Sequence, residues 1–239
     1  MRVLISGGGT GGHVYPAIAI ADAIKALQPD AEIRFVGARG KLEMEKVPAA
    51  GYPIEGLRIA GFQRRLTWRN LLFPLLLLSS LWQARRILRR FRPDVVVGVG
   101  GYASGPVGEW AARMGIPLLL QEQNSYPGVT NRLLGRKARC ICVAYEGMER
   151  WFPAEKLLLT GNPVRAEIFQ GLETKRPEAA RVFGLDPGRK TLFVFGGSLG
   201  ARTLNRALVA MAESLRQRPE VQVLWQCGRL YAREMEQSA

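Results

Sequence analysis

The chain has 239 residues, 47% apolar and 23% charged, a composition that excludes a disordered chain and fits a globular protein with an ample core. Its 34 lysines and arginines against 20 acids give a formal charge of +14, so the surface should attract polyanions: nucleic acid, an anionic membrane or phosphorylated ligands. Cys140, Cys142 and Cys227, an odd count without a CxxC pair, argue against a disulfide framework or a structural zinc site and fit a reducing cytosol.

Residues 2–6 read as a buried strand, and the glycines that follow interrupt any export signal. Residues 14–27 carry helical apolar spacing with Pro16 in the first turn, and 31–36 read as a second strand, completing a βαβ unit. A third strand is expected over 53–59, then a long helix over 68–91 bent at Pro74. Its apolar centre, 71–81, is about half of what a membrane span needs.

Strands at 94–98, 116–121, 138–144 and 156–160 then alternate with helices at 105–114 and 127–136. Apolar strands alternating with helices predict a parallel sheet covered on both faces. The segment Gly161-Asn162-Pro163-Val164-Arg165 breaks the rhythm. A strand at 190–195, a helix at 203–216, a strand at 221–225 and a helix from about 229 then repeat the opening logic. Two strands are too few for a self-sufficient doubly wound sheet, so the chain is expected to stop inside a second domain. The expected fold class is α/β with two Rossmann-like domains, residues 1–162 and 163–239, the second incomplete.

Three glycine-rich turns punctuate this pattern: Gly7-Gly8-Gly9-Thr10-Gly11-Gly12, Gly98-Val99-Gly100-Gly101 and Gly196-Gly197-Ser198-Leu199-Gly200. Turns of this kind let backbone N–H groups approach a phosphate, and a following helix offers its positive end. Gly7, Gly9 and Gly12 satisfy the dinucleotide pattern GxGxxG. Residues 35–39 offer no acid for a ribose, although Arg39 suits a 2′-phosphate and keeps an NADP oxidoreductase open.

His13, the chain's one histidine, closes the first turn, where it can cap the helix, hydrogen-bond a phosphate or take a proton from an alcohol. Gln121-Glu122-Gln123-Asn124 follows the fifth strand at the sheet edge where open α/β folds bind ligands, or else caps the next helix. Ser198 and Arg165 are candidate contacts to a diphosphate. Between residues 64 and 92 the chain has Arg64, Arg65, Arg69, Arg85, Arg86, Arg89, Arg90 and Arg92 and no acid, around a leucine-rich centre with Phe73, Trp82 and Phe91. That is interfacial-helix chemistry, with Leu72, Phe73, Leu76, Trp82, Arg85 and Arg86 as membrane-contact candidates.

Five ordered motifs carry a resemblance: Gly8-Gly9-Thr10-Gly11-Gly12-His13, Pro93-Asp94-Val95-Val96 leading to Gly100-Gly101-Tyr102-Ala103-Ser104-Gly105-Pro106, Glu122-Gln123-Asn124, Gly161-Asn162-Pro163-Val164-Arg165 and Gly196-Gly197-Ser198-Leu199-Gly200-Ala201-Arg202. Through them the chain resembles the MurG family, the peptidoglycan GlcNAc transferases of bacteria. The resemblance implies a GT-B glycosyltransferase moving GlcNAc from UDP-GlcNAc to the MurNAc 4-hydroxyl of the undecaprenyl-pyrophosphate-linked acceptor, lipid I, with inversion.

It further implies an N-terminal domain that receives the acceptor on the cytoplasmic face of the membrane as a peripheral protein, a C-terminal domain that binds the nucleotide-sugar, and no metal, cofactor or nucleic acid. Thr10, Gly11, Gly12, Asn124, Arg165 and Ser198 would contact the donor. His13 is the first choice of catalytic base and Glu122 the second. Two positions depart from the family, which usually has glutamine at Leu199 and histidine at Gln121. The family runs on past this length, so the 239-residue piece alone is expected to turn over little. The alternatives are a related GT-B enzyme with another lipid acceptor, such as diacylglycerol, and a nonenzymatic membrane- or nucleic-acid-binding protein.

Overall fold

A computed structural model describes residues 1–59, 73–197 and 199–238, the side chains of residues 73 and 238 excepted. The described chain divides into two compact units, Met1–Ile168 and Phe169–Ala239, the division falling beyond the break expected at residues 161–165.

In the first unit the elements are β1 (Arg2–Ser6), α1 (Gly11–Leu27), β2 (Glu32–Ala38), α2 (Glu43–Ala49), β3 (Ile54–Leu57), α3 (Phe73–Phe91), β4 (Val95–Gly98), α4 (Ser104–Arg113), β5 (Leu118–Glu122), α5 (Val129–Gly135), β6 (Cys140–Val143) and β7 (Leu157–Leu159). All seven strands are parallel, in the order β3-β2-β1-β4-β5-β6-β7. The order reverses between β1 and β4, which opens a crevice outside their carboxyl ends.

The apolar strands read as they do because both faces are covered. In β1, Leu4 packs into a cluster with Ala84, Leu88 and Phe91 of α3 and Val107 and Ala111 of α4, while Val3 and Ile5 pack with Val14, Ala17, Ile18 and Ala21 of α1. β5 divides the same way, Leu118 and Leu120 going to the first cluster and Leu119 to the second.

Two differences from the sequence reading concern helices. α1 begins at Gly11, inside the glycine turn, so Pro16 lies beyond its first turn and cannot donate to the carbonyl of Gly12. α2, which the sequence reading did not expect, carries Pro48 in its last turn. α3 is described from Phe73, with Pro74 as its second residue, and the part expected over residues 68–72 lies outside the described residues.

The second unit contains α6 (Leu172–Val182), also unexpected, then β8 (Lys190–Phe195), α7 (Arg202–Arg216), β9 (Val221–Gln226) and α8 (Ala232–Ser238). β8 and β9 pair in parallel as a two-stranded sheet, from Lys190 opposite Val221 to Phe195 opposite Gln226. Leu208 and Met235 are its buried apolar residues, whereas Phe183, Leu192, Phe193, Phe195 and Leu230 are exposed.

Candidate functional site

The crevice is built by two glycine turns that clasp each other. Gly101 has φ +84°, and a Cβ there would lie 2.3 Å from the carbonyl oxygen of Gly8. The first turn's amides are spent on this clasp. Gly7 N–H donates to Val36 O (3.2 Å), Gly8 N–H to Gly100 O (3.3 Å) and Gly9 N–H to Glu43 Oε2 (2.8 Å). Glu43, 1% exposed, also accepts from Ala38 N–H at 2.9 Å, and its carboxyl carbon lies 2.2 Å from where a Gly8 Cβ would stand. The expectation that the Gly7 to Gly9 amides cradle a phosphate is therefore corrected: they organise the turn. The donors that an α-helix leaves over are those of its first turn, here Gly11 and Gly12.

His13 stands at the centre of this rim. Its Nδ1 lies 2.9 Å from Gln123 Oε1, and Gln123 Nε2 donates to Val99 O at 3.0 Å. A Cβ on Gly100 would stand 3.0 Å from the ring's Cε1, so glycine there makes room for the imidazole. Thr10, Gly12, His13, Gln123, Asn124 and Asn162 line a cleft of about 420 Å³. Across Thr10 and His13 a second cleft of about 320 Å³ is lined by Lys41, Tyr102, Glu122, Asn131 and the glycines of both turns.

Of the residues named from sequence, Thr10, Gly12, His13 and Asn124 thus share one cleft. Gly11 lies beside it, under the ring of Tyr15, which is 3.4 Å from the place of a Gly11 Cβ. Arg165 stacks on that same ring, its Cζ 4.7 Å from the centroid. Ser198 lies outside the described residues. The sequence reading named neither Glu43, Lys41 nor Asn162 as a site residue, and treated Gln123 only within its motif. Glu43 is the first acid after β2, which was the available signal.

Glu122 differs from its expected role as second-choice base. It is 1% exposed, and both its oxygens are occupied: Oε1 accepts from Asn124 N–H and Nδ2 (each 3.0 Å), Oε2 from Gly128 N–H (3.2 Å) and Asn131 Nδ2 (3.0 Å). A carboxylate with four donors on it has no lone pair turned to a substrate. It anchors the loop between β5 and α5.

No group of three or more His, Cys, Asp or Glu that could hold a metal gathers among the described residues. On β6, burial and then the neighbouring Cys140 push the Cys142 thiol above its ordinary value, so it stays protonated at neutral pH.

α3 carries the second candidate surface. Leu75, Leu78 and Trp82 are exposed at 64%, 64% and 61%, on one stripe of the helix, with Arg86 stacked over Trp82. Leu76, named from sequence, is half-buried, and Arg85 turns to stack on Trp110 of α4. The segment without acids acquires one in space, since Glu55 of β3 binds Arg90. Leu72 and the Phe73 side chain lie outside the described residues. No described helix is long and apolar enough to cross a membrane.

Against known proteins, residues 3–143 match the glycosyltransferase family 28 N-terminal domain and residues 191–239 the family's C-terminal domain. The chain is 55% identical over 238 residues to the UDP-N-acetylglucosamine--N-acetylmuramyl-(pentapeptide) pyrophosphoryl-undecaprenol N-acetylglucosamine transferase of Bacteroides fragilis, covering 100% of this chain and 62% of the relative. The enzyme of the same name from Cytophaga hutchinsonii is 55% identical over 237 residues, 99% of this chain and 63% of the relative. The chain therefore spans under two thirds of the length of these relatives. Among solved structures it resembles Acinetobacter baumannii MurG, with a TM-score of 0.70 and 27% identity over 99% of this chain and 61% of that one. The UDP-GlcNAc 2-epimerase of Neisseria meningitidis, at a TM-score of 0.68 and 14% identity over 100% of this chain and 69% of the epimerase, shares the fold.

Proposed function

The chain belongs to glycosyltransferase family 28, and on that premise we propose that it is the acceptor-side unit and the first part of the donor-side unit of an inverting GlcNAc transferase. The donor is UDP-GlcNAc, and the acceptor is the 4-hydroxyl of MurNAc on undecaprenyl-pyrophosphoryl-MurNAc-pentapeptide, so lipid I becomes lipid II. The observation that supports this most is the shared cleft: Thr10, Gly12, His13 and Asn124 converge where the sheet order reverses, in a chain 55% identical to enzymes of that name.

In this reading His13 takes the proton from the acceptor hydroxyl as its oxygen attacks the anomeric carbon. The new C–O bond forms on one face while the bond to the UDP oxygen breaks on the other, which inverts the centre. Charge growing on the leaving diphosphate meets the amides of Gly11 and Gly12, the positive end of α1 and the guanidinium of Arg165. Glu122 holds the loop that presents Asn124, and is not the base.

The test is transfer of labelled GlcNAc from UDP-GlcNAc by the full gene product to a lipid I analogue and, separately, to diacylglycerol. Transfer to lipid I alone is expected; transfer to diacylglycerol alone overturns the reading. His13→Ala should lower kcat by roughly 10²- to 10⁴-fold with the unfolding midpoint little changed.

Peripheral attachment to the cytoplasmic membrane face belongs to the same proposal. Leu75, Leu78 and Trp82 would enter the headgroup boundary, with Arg86 and Arg89 meeting anionic phosphates. Flotation with anionic vesicles should be lost on Trp82→Ala with Arg86→Glu and weakened by salt. Binding to duplex DNA without binding to vesicles overturns it.

A further inference from the structure

We propose that Gln123 is a positioning residue that fixes which nitrogen of His13 receives the proton. This rests on the reading of His13 as base, but the geometry behind it is independent. Gln123 is 8% exposed, and its surroundings tell the two ends of its amide apart. Nε2 lies 3.0 Å from the carbonyl oxygen of Val99 and 3.3 Å from that of Gln121, and it also meets the side-chain Oε1 of Gln121. The Val99 and Gln121 carbonyl oxygens only accept, so this end is the NH2 group.

The other end, Oε1, is the atom 2.9 Å from His13 Nδ1. A carbonyl oxygen only accepts, so Nδ1 carries the hydrogen and the neutral ring is held as the Nδ1–H tautomer. Nε2 keeps its lone pair and makes no hydrogen bond among the described residues. Neutral imidazole side chains in water favour the opposite tautomer, so the selection is imposed by Gln123, through Val99 of the β4 turn and Gln121 of β5. When Nε2 takes the acceptor's proton, Oε1 stays in place to hold the Nδ1–H of the imidazolium. The residue thus sets both the basic atom and the ring's orientation by acting through His13.

With ¹⁵N-histidine incorporated into the full gene product, the His13 imidazole signals are those that vanish in His13→Ala, and they are read where the ring is neutral. Nδ1 protonated and Nε2 unprotonated is the expected result; an Nε2–H ring in the unsubstituted protein overturns the proposal without any variant. Gln123→Met, close in length but unable to accept, should shift the population toward Nε2–H and lower kcat by roughly 10- to 100-fold at unchanged KM for UDP-GlcNAc. Gln121→Leu disturbs the same buried cluster but leaves two of the three acceptors, the Val99 and Gln121 carbonyls, and should keep the Nδ1–H ring.

An equal shift from Gln121→Leu reduces Gln123 to general packing and overturns the proposal. So does a shifted tautomer with unchanged kcat in an active transferase. A protein that shows the expected tautomers but no GlcNAc transfer refutes the functional reading and leaves the tautomer assignment standing.

Discussion

The two units repeat one device, a parallel strand running through a glycine turn into a helix, and finish it differently. In the first unit the turn after β1 is closed by Glu43, a buried carboxylate, and the strands on either side are sealed by apolar clusters on both faces. In the second, the turn after β8 is closed by Gln226, an exposed amide that accepts from Gly196 N–H at 3.2 Å and donates to Gly197 O at 3.0 Å. Gly200 there stands against Cys227, a Cβ being only 2.0 Å from its carbonyl oxygen. A glycine turn is thus a way of letting backbones meet, and whether it becomes a rigid rim depends on what is packed behind it. In the first unit that rim carries His13; in the second, which is only the first part of its domain, Phe193 and Phe195 are exposed within the 239 residues.

The largest expected effect follows from that burial. Leu120 of β5, 0% exposed, lies in the core cluster with Val107 and Ala111 of α4, and Leu120→Ala should cost roughly 2–5 kcal/mol. In the 239-residue chain, Phe193, 55% exposed and stacked on Phe195 at 4.9 Å, should change the second unit's stability by about 0.5 kcal/mol or less when replaced by Ala. Two units need not unfold together, so amide exchange in β5 and in β8 is the proper readout. A Phe193→Ala cost as large as that of Leu120→Ala would mean that the second sheet's apolar face is covered after all, and the contrast would dissolve.

The clasps themselves give the next effect. Removing the Glu43 carboxylate leaves the N–H groups of Gly9 and Ala38 without their acceptor, so Glu43→Ala should cost about 2–4 kcal/mol. Gln226→Ala exposes its partners to water at once and should cost about 1 kcal/mol or less. Glu43→Gln sharpens the pair, because one end of the amide must face an N–H group and repel it. Thermal unfolding of the three variants checks the ranking, and an equal loss from Glu43→Ala and Gln226→Ala would show that burial of the clasp is immaterial.

The sequence disclosed those features that a residue carries within its own neighbourhood. β1 over 2–6 and β8 over 190–195 were read with their observed bounds, since each is an apolar run ended by glycine. α2 escaped because it spans seven residues with Pro48 among them, and α6 because none of its residues is buried, so no apolar face marks the helical period. The early start of α1 escaped because Gly11 and Gly12 are poor helix formers, recruited when the Thr10 carbonyl accepts from His13 and Val14.

At the site, the convergence of Thr10, Gly12, His13 and Asn124 was legible from strand ends alone, as the reversal of strand order demands. What the glycine amides bind was not. Their partners, Val36, Glu43 and Gly100, come from β2, α2 and the β4 turn, and only the folded register shows that these donors are taken. Glu122 misled for the same reason: a carboxylate at a strand end looks like a base until Asn124, Gly128 and Asn131 are seen to close on it.

The smallest effect separates the units by surface charge. Glu109 of α4 binds Lys137 and, at 2.8 Å, Arg113, with 22% of its side chain exposed. The hydrogen bond from Lys137, ahead of that from Arg113, holds its carboxyl below the ordinary glutamate value despite the opposing effect of partial burial. A depressed native value means that the unfolded state binds the proton more readily. The pair therefore contributes fully above the ordinary carboxylate range and loses its contribution as pH falls through the lowered native value. Glu109→Gln should cost about 0.5–1 kcal/mol at neutral pH, with the gap closing in acid. Glu213→Gln in α7, where Glu213 and Arg216 lie 3.5 Å apart with side chains 74% and 62% exposed, should give a smaller difference at every pH. Unfolding of both variants followed from pH 7 into acid decides this: a Glu109→Gln gap that stays constant would trace to packing of the side chain, since charge on the carboxylate would by then be gone.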